Sequence, residues 1–236
     1  MNATLDQFLL TDKIAIVTGA GKGIGAGIAV AFADAGADVA ITARTKSDLD
    51  EVAEKVRARG RRALVYPMDV TKLDELPAFV DAVLGEYGGL DVVVNNAGGS
   101  NAGPFLKSTV EDFESAFRFN VSTAFVMTQL AVEPMLARGG GSIVNITSVS
   151  GHKATRGSVT YATAKAALSH FTRNVATDLA PRIRVNAIAP GAIETPALSS
   201  WLTQFGEVRR TVQLKSHDVW FGFLILQQNA GGHHGQ

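Results

Sequence analysis

The chain has no cysteine among its 236 residues. Disulfide bonds, thiolate catalysis and zinc sites built on cysteine are therefore excluded, and a reducing compartment is compatible with this composition. Histidine is also sparse, and His217, His233 and His234 have no partners at metal-ligand spacing. We predict no metal site.

The chain also lacks an excess of charge of either sign. Its 22 lysines and arginines balance 22 aspartates and glutamates, which gives no electrostatic reason to expect a nucleic acid or a membrane surface as partner. Residues Met1 to Leu10 include Asp6 and only a very short apolar run, which fits neither a signal peptide nor a membrane span. A cytoplasmic location is expected.

Short apolar runs rich in branched residues alternate with helical patterns along the chain. Such near-continuous apolar strands are typical of a parallel sheet covered on both faces. The expected fold is α/β, a single domain with a doubly wound, Rossmann-like parallel sheet. The predicted strands are Lys13 to Thr18, Asp38 to Thr42, Ala63 to Met68, Leu90 to Asn95, Gly141 to Thr147 and Ile183 to Ala189; the predicted helices are Ile24 to Ala35, Ser47 to Arg59, Leu73 to Tyr87, Ser108 to Arg138 and Thr160 to Leu179.

Three glycines, Gly19, Gly23 and Gly25, lie between the first strand and the first helix. A backbone without Cβ atoms lets a pyrophosphate approach, and the N-terminus of the helix supplies N–H donors. The strict G-x-G-x-x-G spacing is absent. The segment favours nucleotide binding, with a merely structural tight turn as the alternative.

Tyr161 and Lys165 are four residues apart in a predicted helix, so their side chains share one face. Bringing the pKa of a free tyrosine from about 10 to about 7 requires roughly 4 kcal/mol. One cation at about 4 Å supplies roughly that much at an effective dielectric near 20. We therefore expect Lys165 to lower the pKa of Tyr161, and the phenol to serve as a general acid or base.

The end of the second strand bears on which dinucleotide is bound. An acidic residue there would bind the ribose 2′-hydroxyl, but this chain has Ala43 followed by Arg44. Arg44 and Lys22 would suit a 2′-phosphate, which favours NADP(H) over NAD(H) as cofactor. A solvated Arg44 at a helix start is the alternative.

Six motifs in register resemble the short-chain dehydrogenase/reductase family over residues 10 to about 200. They are Thr18-Gly19-x-x-x-Gly23-x-Gly25, Asn95-Asn96-Ala97-Gly98, Asn120, Ser148, Tyr161-x-x-x-Lys165 and Pro190-Gly191. The resemblance implies hydride transfer with a nicotinamide cofactor.

The resemblance also implies cofactor contacts along the chain. The glycine turn would line the dinucleotide, two residues after the third strand would meet the adenine, and the turn after the fourth strand would contact adenosine and ribose. The segment after the sixth strand would hold the nicotinamide. Alternatively, Asp69 is only a strand-end cap and Asn95 a turn former. In that order the implied residues are Gly19, Lys22, Gly23, Ile24 and Gly25; Asp69 and Val70; Asn96, Ala97 and Gly98; and Pro190, Gly191, Ile193 and Thr195.

For the reaction itself, the resemblance implies four catalytic residues. Tyr161 would exchange a proton with the substrate oxygen, and Ser148 would hold that oxygen. Lys165 would act on the phenol and bind the nicotinamide ribose, and Asn120 would support a water that links Lys165 to solvent. The alternatives are structural roles without catalysis: Ser148 as a cap, Tyr161 as a packed aromatic and Asn120 as a kink residue.

The expected substrate is a small-molecule secondary alcohol or ketone. Several segments are similar to hydroxysteroid dehydrogenases of the family, which points to a bulky ring; a 3-oxoacyl thioester or a sugar is the alternative. An apolar series that includes Trp201 and Phe205 indicates a substrate lid at residues 196–210, with ordinary core packing as an equal alternative. From a different class of protein, a nucleotide-binding scaffold without catalysis is the rival hypothesis.

The oxidoreductase domain is expected to span residues 1–210, and residues 211–236 depart from the family pattern. The last strand is therefore missing or replaced. Val219 to Leu226 is either a substitute edge strand or an exposed apolar segment. A homodimer or homotetramer is expected through the helices around Ser108 to Arg138 and Tyr161 to Leu179, with the tail's contact in doubt.

Overall fold

The fold is a parallel sheet wound in both directions from its centre. The computed structural model describes residues 8–99, 103–193, 195 and 224–226. Six strands pair in parallel in the order β3-β2-β1-β4-β5-β6. This is the predicted Rossmann-like sheet. The strands are β1 (Ile14–Thr18), β2 (Asp38–Ala43), β3 (Ala63–Pro67), β4 (Val92–Asn95), β5 (Gly141–Ile146) and β6 (Ile183–Ala189).

Helices connect these strands at the predicted places. One difference is that the long helix expected over Ser108 to Arg138 contains a π-helical stretch, Arg118–Ser122, with one wider turn. No helix within the described ranges is long and apolar enough to cross a membrane. The helices are α1 (Gly23–Asp34), α2 (Lys46–Arg57), α3 (Leu76–Tyr87), α4 (Val110–Phe117), α5 (Thr123–Ala137) and α6 (Val159–Leu179).

The two faces of the sheet carry separate apolar clusters. Along β1, Ile14 and Ile16 belong to one cluster, whereas Ala15 and Val17 belong to the other. Because side chains alternate along a strand, these clusters lie on opposite faces. The first includes residues of α3 and α5, and the second includes residues of α1 and α2. Both faces are therefore covered, as the continuous apolar strands predict.

A seventh strand, β7 (Leu224–Leu226), pairs antiparallel with β6 at the edge of the sheet. Its backbone register places Ile225 opposite Ile188. For these three residues the pairing agrees with the edge-strand alternative for Val219 to Leu226. The lid expected at residues 196–210 and the tail at 211–223 and 227–236 lie outside the described residues.

The carboxyl ends of the parallel strands bring the predicted site residues to one edge of the sheet. The glycine turn follows β1, and Arg44 follows β2 directly. Asn96 directly follows β4, one residue lies between the end of β5 and Ser148, and Pro190 directly follows β6. In open α/β sheets, ligands bind outside this edge, at the point where the strand order reverses.

A buried carboxylate, Asp91, lies at the amino-terminal ends of the strands, opposite the predicted site. Its oxygens accept hydrogen bonds from the Ile14 backbone N–H at 2.9 Å and from Nε of Arg138 at 3.0 Å. Nζ of Lys13 lies 3.5 Å away. Asp91 thus joins the start of β1 to the end of α5, and its charge is compensated although it is only 5% exposed.

We predict that Asp91→Asn lowers the free energy of unfolding by roughly 2 to 4 kcal/mol, because the variant leaves Arg138 and Ile14 without their charged acceptor. Urea unfolding would measure the loss. Asp34→Asn is the matched control, since it removes an exposed carboxylate paired with Arg59 and should cost less than about 1 kcal/mol. Equal losses in the two variants would contradict the prediction.

Candidate active site

The glycine turn after β1 requires glycine at two positions. Gly19 and Gly23 have φ angles of +65° and +58°, which other residues rarely adopt. A Cβ at Gly23 would lie 3.0 Å from Cγ2 of Thr195, so the turn closely approaches the segment after β6. The structure thus brings together the two segments predicted to contact opposite ends of the dinucleotide.

Thr18 fastens the end of β4 to this turn. Its Oγ1 accepts hydrogen bonds from the backbone N–H groups of Asn96 and Ala97, both at 3.0 Å. The Asn96 side chain donates from Nδ2 to the carbonyls of Thr18 at 2.8 Å and Gly19 at 3.1 Å. The sequence predicted Asn96 and Ala97 as cofactor contacts, but not that the Thr18 hydroxyl would hold them.

Arg44 is exposed at the end of β2, where the sequence places it. Lys22 is also exposed, but its Nζ lies 3.0 Å from Oδ2 of Asp48. This ion pair was missed because nothing in the local sequence relates residue 22 to residue 48. The two cations predicted to bind a 2′-phosphate therefore differ, because Lys22 is already paired with Asp48.

Asp69 and Val70 follow β3 in different environments. Oδ1 of Asp69 accepts hydrogen bonds from the N–H and the hydroxyl of Thr71, at 3.0 and 2.8 Å. The N–H bond is the main reason that the pKa of Asp69 lies below its usual value. Asp69 thus caps the backbone just after β3, which is the alternative role that the sequence left open. The Val70 side chain is buried in an apolar cluster.

Asn95 is a residue of β4 and not a turn former. Its Nδ2 donates to Oδ1 of Asn145 on β5 at 2.8 Å, and Nδ2 of Asn145 donates to Oγ1 of Thr172 at 2.9 Å. All three side chains are buried. This polar chain joins two strands to α6, and sequence reasoning missed Asn145 and Thr172 because each is an ordinary strand or helix residue in the sequence.

Ser148 and Tyr161 are brought close together. Ser148 lies directly before a short 3₁₀ turn, Val149–Gly151, and its Oγ accepts from the Ser150 N–H at 3.2 Å. The same side chain lies near enough to Tyr161, in the first turn of α6, to oppose the rise in the pKa of the phenol. Ser148 is therefore both a cap and a neighbour of the phenol.

Lys165 lies one turn further along α6 and is buried, with 3% of its surface exposed. Its Nζ donates to the Ile146 carbonyl at 2.7 Å and lies 5.7 Å from the centre of the Tyr161 ring. Burial lowers the pKa of Lys165 from 10.5 to about 7, because the ammonium loses its hydration.

The expected lowering of the Tyr161 pKa is not observed. Burial raises the pKa of the phenol, and the Ser148 side chain only partly opposes this effect. The expected lowering of this pKa requires a fully protonated ammonium about 4 Å from the phenol. In the structure Lys165 bonds instead to Ile146 and is easily deprotonated, so desolvation of Tyr161 outweighs its influence.

Asn120 lies in the π-helical stretch and binds backbone on both sides. Its Nδ2 donates to the carbonyls of Gly99 at 2.7 Å and Ala116 at 2.8 Å, while its Oδ1 accepts from the Gly99 N–H at 3.0 Å. The predicted water-holding role is not tested by these contacts. They show that Asn120 fixes the chain just after the Asn96 to Gly98 segment.

Gly98 belongs to the segment predicted to contact the cofactor, and it lies beside Asn120 and Lys165. A Cβ at this position would lie 2.6 Å from Oδ1 of Asn120 and 2.8 Å from Nζ of Lys165. Only glycine leaves room here, and the backbone is open to a ligand beside the lysine. After β6, the Pro190 carbonyl accepts from the Val149 N–H at 3.1 Å, which places Gly191 and Ile193 on the same edge. These features fit a bound dinucleotide.

A doubly wound sheet with a glycine turn, a buried lysine and a tyrosine beside a serine defines a dinucleotide-dependent oxidoreductase. The family model for short chain dehydrogenase matches residues 13–204, and the chain belongs to this family. The resemblance drawn from the six motifs is confirmed.

Two relatives illustrate the similarity. An uncharacterized oxidoreductase from Mycobacterium tuberculosis (strain CDC 1551 / Oshkosh) is 52% identical over 195 residues, which cover 82% of this chain and 74% of the relative. The 7alpha-hydroxysteroid dehydrogenase of Escherichia coli (strain K12) is 41% identical over 199 residues, covering 84% and 78%.

A solved 7alpha-hydroxysteroid dehydrogenase, complexed with NADH and 7-oxo glycochenodeoxycholic acid, has a similar structure. Its TM-score is 0.80 at 41% identity, with 83% of this chain and 77% of that chain covered. The likeness confirms the predicted fold class.

We predict that Lys165 makes the free energy of unfolding rise with pH between about 7 and about 10. The unfolded chain keeps its lysine protonated in this window, whereas the folded chain releases the proton above a pKa of about 7. More protons are then bound in the unfolded state, so stability increases with pH. Urea unfolding at several pH values should show this slope in the native chain.

Replacing the lysine isolates its contribution. Lys165→Met should reduce the rise and stabilise the protein near pH 6 by on the order of 2 kcal/mol, because no buried ammonium remains. Lys55→Met, at an exposed position of α2, is the control and should keep the native slope. A Lys165→Met slope equal to that of the control would contradict the assignment.

Proposed function

We propose that the chain is an NADP(H)-dependent oxidoreductase that transfers a hydride between nicotinamide and a secondary alcohol or ketone. The observation that carries this proposal is that the Ser148 side chain lies near the Tyr161 phenol and opposes the rise in its pKa, with Lys165 buried one helical turn away. Nucleotide binding alone does not require a phenol placed beside both a hydroxyl and a buried amine.

Tyr161 holds the proton that moves to or from the substrate oxygen, and Ser148 orients that oxygen by a second hydrogen bond. The nicotinamide, when bound, supplies or accepts the hydride. The Tyr161 phenol is protonated at neutral pH, and this is the form that can donate a proton during ketone reduction. Lys165 and Asn120 are proposed as the supporting pair, since both contact the Gly98 position.

The choice of NADP(H) rests on the end of β2. Ala43 closes the strand and Arg44 follows it, so the strand end itself carries no carboxylate to bind a ribose 2′-hydroxyl. The exposed guanidinium of Arg44 suits a phosphate, because its planar donors match phosphate oxygens. The solved relative was complexed with NADH, and the NADP(H) preference proposed here rests on this chain's own Ala43 and Arg44.

A ring-bearing substrate is the proposed class. The relatives include a 7alpha-hydroxysteroid dehydrogenase, and the described residues add two exposed apolar side chains, Phe105 and Leu106. Their loop is joined to the one that follows Ser148, because the Gly103 N–H donates to the Gly157 carbonyl at 2.9 Å. These side chains offer an apolar wall to a bulky substrate.

The activity is tested by following the absorbance of reduced nicotinamide with a panel of ketones. The panel contains oxo-steroids, alicyclic ketones, 3-oxoacyl thioesters and oxidised sugars, each with NADPH and with NADH. Turnover is expected with NADPH and at least one ring-bearing ketone. Cofactor binding without turnover on any member would favour the scaffold hypothesis.

We predict that Tyr161→Phe lowers kcat by roughly 10²- to 10⁴-fold, the range of a lost general acid. Dinucleotide affinity should change by less than about twofold, because the ring remains. Tyr87→Phe makes the same chemical change at a hydroxyl that bonds to Val39 in the core, and it should retain native turnover. Substantial activity in Tyr161→Phe would remove the proposed acid.

We predict that Arg44→Asp shifts preference from NADP(H) to NAD(H), because a carboxylate repels the 2′-phosphate and binds the 2′-hydroxyl. The ratio of the two dissociation constants, measured by calorimetry, should change by roughly 10²-fold, or about 2.7 kcal/mol. Lys55→Asp makes the same change of charge within α2, away from the end of β2, and should leave the ratio of dissociation constants unaltered. No change in Arg44→Asp would refute the NADP(H) assignment.

A further inference from the structure

We propose that Asp48 limits the preference for NADP(H) over NAD(H), because its carboxylate competes with the 2′-phosphate for the ammonium of Lys22. This inference rests on the proposed dinucleotide-binding function. It concerns the change in the ratio of the two affinities, and it holds whichever dinucleotide the native chain prefers.

The position of Asp48 places it beside the predicted ribose site. A Cβ built on Gly21 of the glycine turn would lie 3.2 Å from Cβ of Asp48, 3.4 Å from Cβ of Ala43 and 3.8 Å from Oδ2 of Asp48. Ala43 ends β2, and the residue at this strand end selects between a ribose 2′-hydroxyl and a 2′-phosphate. Asp48 therefore reaches, from α2, the corner where the two cofactors differ.

The partners in the ion pair are unequally free to move. The Lys22 side chain is 62% exposed, whereas that of Asp48 is 19% exposed, and their charged atoms are 3.0 Å apart. The long, solvated lysine can turn toward another anion at small cost, because exposed ion pairs are weak. Asp48 stays in place against Gly21, so its negative charge remains near any phosphate that Lys22 binds.

The local charges balance. Lys46 is paired with Asp50 at 2.7 Å, and Arg44 lies close enough to Asp69 to lower the pKa of that carboxyl. Lys72 also lowers the pKa of Asp69 and is itself paired with Glu75 at 3.0 Å. The cluster thus holds four cations, Lys22, Arg44, Lys46 and Lys72, and four carboxylates, Asp48, Asp50, Asp69 and Glu75.

A balanced cluster offers no surplus positive charge to a phosphate monoester, which carries a charge of about −1.5 to −2 at pH 7. Removing the charge of Asp48 would leave a surplus of one unit and release Lys22. NAD(H) has no 2′-phosphate, so its affinity should respond little. The carboxylate accordingly acts on the selectivity between the cofactors, and not on dinucleotide binding as such.

The test is isothermal titration calorimetry of Asp48→Asn with NADP⁺ and NAD⁺. NADP⁺ should bind roughly 3- to 10-fold more tightly than to the native chain, as expected for one partly solvated charge. NAD⁺ affinity should stay within about twofold. The gain in NADP⁺ affinity should shrink at high salt, because screening weakens exposed charges.

Glu54→Gln is the matched control. It removes one negative charge from α2 and breaks an exposed ion pair with Arg57, 2.9 Å long. Six residues of helix separate it from Asp48, about 9 Å along the axis. It should leave both affinities unchanged, so a general effect of charge on α2 is separated from the effect of Asp48.

A second measurement tests the competition itself. Lys22→Gln should weaken NADP⁺ binding more in the Asp48→Asn background than in the native chain, because only the former leaves the lysine fully available. Unchanged or weaker NADP⁺ binding in Asp48→Asn, or an equal effect of Lys22→Gln in both backgrounds, would overturn the proposal.

These failures are distinguishable from failure of the proposed function. If Arg44→Asp leaves the ratio of affinities unaltered while Asp48→Asn shifts it, the NADP(H) assignment through Arg44 is wrong and the role of Asp48 stands. If Arg44→Asp shifts the ratio and Asp48→Asn does not, only the present inference is lost. If neither dinucleotide binds the native chain, the proposed function itself fails.

Discussion

The reacting half of the site depends on one amine buried behind the end of β5. Nζ of Lys165 is held on the Ile146 carbonyl at 2.7 Å, and its burial lowers the pKa of the amine to about 7. A buried amine is tolerated only where its donors are satisfied and its surroundings are fixed. The surroundings are backbone: a Cβ at Gly98 would lie 2.8 Å from Nζ, and a Cβ at Gly151 would lie 2.9 Å from the carbonyl carbon of Lys165. Gly98 is therefore required by the side chains of Asn120 and Lys165, and Gly151 by the backbone of α6.

The spacing of Tyr161 and Lys165 puts them on one face of α6, but it does not by itself align the phenol with Ser148. That alignment comes from the 3₁₀ turn Val149–Gly151, which packs directly on the backbone of α6; a Cβ at Gly151 would lie 2.8 Å from the Ala166 nitrogen. Close approach of two backbones fixes their separation more tightly than contacts between flexible side chains. The placement of Ser148 beside Tyr161 is thus a result of packing several residues away.

The alternation of apolar runs and helical patterns was enough to predict the six parallel strands, because strands buried on both faces leave a continuous apolar signature, as in β4. The residues gathered at the carboxyl edge also followed from chain order. The π-helical stretch at Asn120 did not, since its residues suit an ordinary helix, and the sequence left only a kink at Asn120 open as an alternative. The direction of the Tyr161 pKa was predicted wrongly, because burial and the bond from Lys165 to Ile146 are tertiary facts.

The residues proposed for the chemistry and those proposed for selectivity are fixed in different ways. Asn120 and Lys165 are buried and bonded to backbone, so a change at either disturbs several segments at once. By contrast, Phe105 and Leu106 are exposed, and Lys22 holds Asp48 only through a solvated ion pair. Exposed contacts of this kind contribute little to stability, and can therefore change at small cost to the fold. Substrate and cofactor preference are accordingly expected to reside at the rim of the site, while the proposed proton transfer belongs to α6. This division explains how 41% identity to a hydroxysteroid dehydrogenase can define the reaction class without defining the substrate.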